Sequence, residues 1–266
     1  MAITTLDGAI AGMKPPGFYC KSVSGTLVAG RPHTPLYMTG IPAPAAVYAG
    51  GLNGVTLTSL GGQLPIPAAA TNTHLARLSG FSSAQPGLLL LCDRLWHNSL
   101  TVTTTTAQSI TSPTWPARDR NGATTGEEVL IALEISGTVG TGNATPAIVY
   151  TNTTPTGSRA GAMLVPYVAS SITGTFYPFT LQAGDTGVKS VESVTLSVSM
   201  SSGTAGLVAY RVLASLEIPA AGVPNAIDAL TGGMPRCYDT TVPFLVFIPS
   251  TTTTTSLAGT AVFTQG

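Results

Sequence analysis

The sequence predicts an all-β protein, a jelly-roll or related β-sandwich with an extended proline- and glycine-rich N-terminal arm and few short helices. Three observations carry this. Apolar residues alternate with polar ones at the two-residue period of a half-buried strand, as Val194, Leu196, Val198 and Met200 do with Thr195, Ser197 and Ser199. Thirty glycines and twenty prolines punctuate the chain at the spacing of sandwich or barrel strands. Hydrophobic residues make up 44% of the 266, enough to pack a sizeable core.

Taken in chain order, "LDGAIAGM" forms a short helical turn after Asp7. From Gly30 to Pro67, "RPHTP" and "IPAPAAVYAGG" hold too much proline and glycine for regular structure. Residues 1–70 are therefore read as an arm and connector, and 71–266 as the sandwich domain, with a minor break near 117–126 at "PARDRNGATTG". Val55-Thr-Leu-Thr and Leu100-Thr-Val-Thr read as strands. "TNTHLARLSG" reads as two helical turns, capped at Asn72 or Thr73, apolar at Leu75 and Leu78 and stopped by Gly80, and "NAIDALTGG" has the same form. Val129, Ile131, Leu133 and Ile135 make one face of a strand, with Glu134 on the other and Glu127-Glu128 at its start. "GLVAYRVLASLEI", from Gly206 to Ile218, is apolar on both faces, as a central strand is. "PFLVFIP" is a buried strand closed at both ends by proline, which cannot donate to a ladder. The β-branched run Thr251–Thr255, followed by "SLAGTAVF", reads as an edge or terminal strand.

Charge is scarce. Only 8% of residues are Asp, Glu, Lys or Arg, against roughly 25% in an average soluble protein. A monomer of this mass exposes roughly 11,000 Å², which leaves about one charge per 500 Å². Interface cores are depleted in charge, so the composition implies outer faces covered by copies of the chain, as in a trimer, or by partner proteins. The net charge is zero and the sequence pI about 6.8, with no basic stripe, which excludes a phosphate-tracking nucleic-acid binder. No polybasic segment or long apolar run points to a membrane. "MAITTLDGAIAGMKPPG" has neither basic n-region nor apolar h-region, so no secretory signal is predicted. Cys20, Cys92 and Cys237, odd in number and without a CxxC, predict reduced, buried thiols and synthesis in a cytosol. The sequons at Asn143 and Asn152 are each followed by proline and are set aside.

The segment "LLLLCDRLWHNSLTVTTTT" gathers Asp93, Arg94, Trp96 and His97 within five residues. On a strand, Asp93, His97 and Ser99 would share a face at roughly 7 Å spacing, too far for a direct nucleophile–imidazole–carboxylate relay. The four residues are read instead as a structural cluster at a strand entry, satisfying one another or loop carbonyls. No catalytic residue is assigned. His33, His74 and His97 show no metal-ligand spacing and no cysteine pair has zinc spacing, so neither a metal nor a cofactor is expected. Asp185 in "QAGDTG" is thin for calcium and reads as a turn residue bonding its own backbone, with positive φ at Gly184 and Gly187. Gly25 and Gly30 in "GTLVAGRP" have phosphate-loop spacing without its lysine. Glu134 and Glu192 remain as carboxylates for a glycan-cleaving site, and Phe176, Tyr177, Phe179 and Trp115 for a sugar platform.

Three stretches, "DRLWHNS…TVTTTTAQS", "PARDRNGATTGEEVLIALEIS" and "GTFYPFTLQAGDTGVKSVESVTLSVSMSSGTAGLVAYRVLA", carry a resemblance. From Asn72 to Ala214, with an echo in "LDGAIAGMKPP", the sequence resembles poorly characterised virion structural proteins of tailed bacteriophages. The resemblance implies a structural role on a particle assembled in the host cytoplasm. The expectation is an oligomeric capsid decoration protein that cements the major capsid protein, not an enzyme, with nucleic acid and membrane excluded as partners. A tail or fibre component touching the host surface is the alternative, and a polysaccharide-cleaving enzyme the second.

Overall fold

Alternating and β-branched residues make extended chain the dominant state. The computed structural model describes residues 3, 5–22, 25–48, 50–68 and 71–266. In order they form α1 (Leu6–Ala11), β1 (Gly17–Ser22), a 3-10 turn (Pro35–Tyr37), β2 (Thr39–Ile41), β3 (Val55–Thr56), β4 (Thr73–Ser82), β5 (Gly87–His97) and β6 (Gln108–Ser109). The chain continues through β7 (Leu130–Gly137), β8 (Ala147–Asn152), β9 (Arg159–Ala162), β10 (Phe176–Pro178), β11 (Val188–Thr195) and β12 (Thr204–Ile218). It ends with β13 (Asn225–Asp228), α2 (Ala229–Gly232), β14 (Arg236–Cys237), β15 (Pro243–Pro249) and β16 (Ser256–Gln265). The fold is all-β, as the alternation predicts, and its ladders are antiparallel.

The chain divides into two units, one of residues 1–45, 59–93 and 212–266, the other of 46–58 and 94–211. This division does not follow the expected 1–70 and 71–266. Of the four crossings, two fall inside strands, after Asp93 in β5 and after Arg211 in β12, and two in the irregular chain after residues 45 and 58.

The second unit is a sandwich. One layer pairs β10, β7 and the first part of β12; the other runs β6-β11-β8-β9. Ile131, Leu133 and Ile135 of β7 and Leu207 of β12 meet Ile148 and Tyr150 of β8 and Val191 and Val194 of β11 in one apolar core. Two-residue alternation produces this directly: each strand sends every other side chain inward. Leu100 and Val102 are buried as the alternation requires, yet Leu100–Thr103 forms no strand, and β3 covers only Val55–Thr56. β11 stops at Thr195 and leaves Val198 exposed.

In the first unit the sheet order is β13-β4-β16-β1-β2, with β14 also on β4. The first part of β5 pairs with β15 from Gly87↔Pro249 to Asp93↔Pro243. "TNTHLARLSG", expected as a helix, is strand β4, between β13 and β16. The glycine taken for a helix stop has a different task. Tyr19 of β1, Gly259 of β16 and Gly80 of β4 are in register across three strands. The Tyr19 side chain lies over both glycines: a Cβ at Gly80 would stand 2.4 Å from its hydroxyl oxygen and one at Gly259 2.5 Å. That hydroxyl donates to the Ser79 carbonyl at 2.9 Å. Thr251–Thr255, expected as an edge or terminal strand, is a loop with one bridge, Thr253 to Leu27; the strand begins at Ser256, is the last in the chain and is central in its sheet.

The short helices are partly as expected. α1 forms where predicted, capped by the Thr5 hydroxyl. "NAIDALTGG" splits into β13 and the four-residue α2, whose cap is Asp228.

The anticipated arm is also corrected. Leu27, Leu36, Met38 and Leu64 are buried within the first unit. His33 and Phe247 exchange both backbone hydrogen bonds, and the Leu64 amide donates to the Pro243 carbonyl. The Lys21 ammonium, itself buried, donates to the carbonyls of Met38, Pro42 and Ala43 and clips this segment to β1. Proline and glycine deny the segment regular structure, but its spaced apolar residues seat it on its own chain.

Burial lowers the Lys21 pKa to about 8, from 10.5. Between those values the unfolded chain binds more protons, so this lysine makes stability rise with pH across that window. In urea unfolding at about pH 8 and about pH 9.5, below the tyrosine range, wild type should gain more stability than Lys21→Met. Equal gains in the two proteins would remove Lys21 as the source.

Candidate functional site

Glu134 is the one ionisable residue of β7; it points away from the Ile131–Leu133–Ile135 core face and is 2% exposed. Its Cα neighbours across the sheet are Phe176 and Gly206. A buried carboxylate needs a cation, and Arg94 supplies it. The guanidinium forks onto both oxygens, Nη1 to Oε1 at 2.7 Å and Nη2 to Oε2 at 2.6 Å.

Arg94 Nη2 also approaches His97 Nδ1 at 3.1 Å. A guanidinium only donates, so Nδ1 accepts and the ring proton sits on Nε2. Burial first, and the Arg94 charge second, lower the His97 pKa to about 3. The imidazole is therefore neutral, and Tyr48 stacks on it with ring centroids 4.1 Å apart. Strict alternation would put Arg94 and His97 on opposite faces; the two meet where the strand ends, at His97.

The rest of the cluster is held by loop backbone. Trp96 Nε1 donates to the Asn53 carbonyl at 2.9 Å, and Asn98 Nδ2 donates to the Leu52 carbonyl at 2.7 Å. Asn98 Oδ1 accepts the Leu207 amide. This 51–54 turn needs glycine at its end: Gly54 has φ +65°, and a Cβ there would stand 2.2 Å from the His97 carbonyl oxygen. Arg118, also buried, donates to the carbonyls of Leu57 and Arg94. Asp119 beside it accepts from the amides of Asn121, Ala123, Thr125, Gly126 and Glu127 and from the Thr125 hydroxyl. Burial would raise its pKa; hydrogen bonds from Thr125, Ala123, Glu127 and Asn121 outweigh that and hold it below the ordinary value.

Of the four residues singled out in sequence, Arg94, Trp96 and His97 come together in the second unit. Asp93 belongs to the first, where its carboxylate accepts the Val242 amide at 2.9 Å and approaches the Thr241 hydroxyl at 3.5 Å. The partners that sequence reasoning missed are Tyr48, Asn53, Arg118 and, for Arg94, Glu134. The signal for Glu134 was present: a lone carboxylate inside an apolar strand.

Chemically, the cluster holds charge and does not move it. An imidazole titrating near 3 is too weak a base to take a proton at neutral pH. Other candidate groups are similarly engaged. Asp185 accepts Arg159 at 2.9 and 3.0 Å, Asn152 Nδ2 at 2.8 Å and the Tyr150 hydroxyl at 2.7 Å. Arg159 chiefly, with Asn152 and Tyr150, lowers its pKa to about 2. It thus ties three side chains together instead of closing its own turn, and of the two glycines expected there only Gly184 has positive φ. Glu192 accepts from the Thr151 hydroxyl and the Ser158 amide. Glu128, expected in a strand start, has φ +56° and pairs with Arg120. Phe176, Tyr177, Phe179 and Trp115 are buried and form no platform. Cys92 and Cys237 are buried free thiols, whereas Cys20, expected buried, is exposed. Among the described residues no group of three or more His, Cys, Asp or Glu side chains could hold a metal ion.

No protein-family model and no curated protein matches the chain. Among solved structures it aligns with infectious bursal disease virus, Gt strain, at 11% identity over 95% of this chain and 82% of that one, with a TM-score of 0.18. Infectious bursal virus derived T=1 particles align at 10% identity over 96% and 79%, with a TM-score of 0.17. Likeness at that level carries neither fold nor role to this chain.

Replacing Glu134 by Ala leaves Arg94 buried and uncompensated, and should destabilise the protein by about 3–5 kcal/mol in urea unfolding. Replacing Arg94 and Glu134 together by Met should recover most of that loss. A double variant as unstable as the sum of both singles would mean that the two side chains act independently.

Proposed function

We propose that the chain is a structural component of a tailed-phage particle, an oligomeric decoration protein that stabilises the capsid through non-covalent contacts, and that it is not an enzyme. The observation that carries this reading is where its few charges lie. Of eleven basic and eleven acidic side chains, seven are buried: Lys21, Asp93, Arg94, Arg118, Asp119, Glu134 and Arg211. The other fifteen serve 10,584 Å² of surface, about one per 700 Å². That is sparser than composition alone implied. Free-standing soluble proteins keep mixed charge outside, and exposed apolar patches mark interaction sites. Here Leu6, Ile10, Phe18, Ile41, Leu164 and Leu230 are all exposed.

The sequence resemblance supports a virion setting, with assembly in the host cytoplasm and the major capsid protein as partner. No helix among the described residues is long and apolar enough to cross a membrane. The head is favoured over the fibre because Phe176, Tyr177, Phe179 and Trp115, the aromatics considered for a platform, are interior. The non-enzymatic reading is supported by carboxylates that each work in a structural bond: Glu134 with Arg94, Asp185 with Arg159, Glu192 with Thr151.

Particle imaging tests the proposal. The chain should occupy the capsid in stoichiometric copies, and particles lacking it should rupture at lower temperature. Density confined to the tail tip, or purified particles without the chain, would overturn it.

A further inference from the structure

α1 exposes the residues that a short helix ordinarily buries. Leu6 and Ile10, one turn apart, are 66% and 55% exposed, and Met13 just beyond the cap is 48% exposed. Only Ala9 of the helix is buried. The helix cannot roll over to hide them, because its backbone is pinned to β16. Thr264 Oγ1 donates to the Ala9 carbonyl at 2.6 Å, and the Gln265 amide donates to the Gly12 carbonyl at 3.0 Å.

In the same unit lies an apolar groove of about 480 Å³, lined by Phe18, Ile41, Pro65, Ile66 and Phe263. Its one charged lining residue is Lys14. The one charged residue of α1 is Asp7, next to Leu6. Among the described residues neither Asp7 nor Lys14 has an ion-pair partner. Stripe and groove are thus matched in character, an apolar ridge with one anion against an apolar trough with one cation.

We infer that the groove receives the Leu6–Ile10–Met13 stripe of a second copy of this chain, with Asp7 of the incoming helix meeting Lys14. This is the helix-in-groove mode of recognition. Because every copy carries both parts, the contact can be exchanged reciprocally or passed around a closed ring. The inference names the self-contact of the oligomer proposed above and rests on that reading.

The test uses the full chain in light scattering after size-exclusion chromatography and in sedimentation. Ile10→Asp on the helix and Ile41→Asp in the groove should each raise the self-dissociation constant at least about tenfold. Leu164→Asp, on an exposed apolar residue of the other unit, should leave it unchanged. Circular dichroism and thermal unfolding establish that each variant folds. As a check independent of apolar surface, Asp7→Lys and Lys14→Glu should each weaken association, and the double variant should restore it. If wild type associates but the helix and groove variants associate equally well, the contact is wrong, while the virion reading is still decided by particle imaging. A wild type that stays monomeric at high concentration also overturns the contact.

Discussion

The second unit depends on one ion pair. Arg94 and Glu134 are both withdrawn from water, and the forked geometry satisfies both carboxylate oxygens at once. Such a pair adds little net stability compared with apolar residues of similar size. What it contributes is position. Side chains on a strand alternate, so a one-residue slip of β7 would swing Glu134 into the face that Ile131, Leu133 and Ile135 fill. The slipped state would bury a carboxylate among aliphatic groups, far from its cation. The apolar alternation of β7 tolerates several neighbours; the single carboxylate tolerates one alignment. His97, Trp96 and the 51–54 turn gather around the resulting fixed point.

Placing ions inside leaves other groups to do the polar work elsewhere. Hydroxyls take much of it. Ser79 and Thr260 meet across β4 and β16 at 2.7 Å, Ser82 and Thr255 at 2.6 Å, and Thr125 closes the loop around Asp119. A hydroxyl both donates and accepts and is removed from water far more cheaply than an ion. A surface that presents hydroxyls in place of ions can be covered by another protein without stranding charge. The threonine-rich composition and the structural reading of the chain are therefore one physical choice seen twice.

The parts of the fold legible in sequence are those that local pattern decides. The doubly apolar run of β12 and the proline-bounded β15 form as read, and the alternation around Ile131 places the sandwich core. The misread parts turn on partners distant in the chain. β4 looks helical because Leu75 and Leu78 are three apart and Gly80 follows. Its glycine is explained only by Tyr19, sixty-one residues earlier, lying over it. Asp185 was assigned to its own turn because Arg159 and Tyr150 come from other strands. The members of the cluster from Asp93 to His97 answer to Val242, Glu134, Asn53 and Tyr48, none of them local. Thr251–Thr255 has the propensity of a strand, but among the described residues it bridges only at Thr253, to Leu27.

Tyr19, Gly80 and Gly259 form one mechanical piece contributed by three strands. A methyl group on either glycine collides with the phenol, and a smaller residue in place of the phenol uncovers two bare stretches of backbone. None of the three can drift alone. Among descendants of this sequence a larger residue at position 80 should be inherited together with loss of the tyrosine, whereas position 259, closed also by the Ser79 carbonyl 2.0 Å from where a Cβ would stand, should stay glycine.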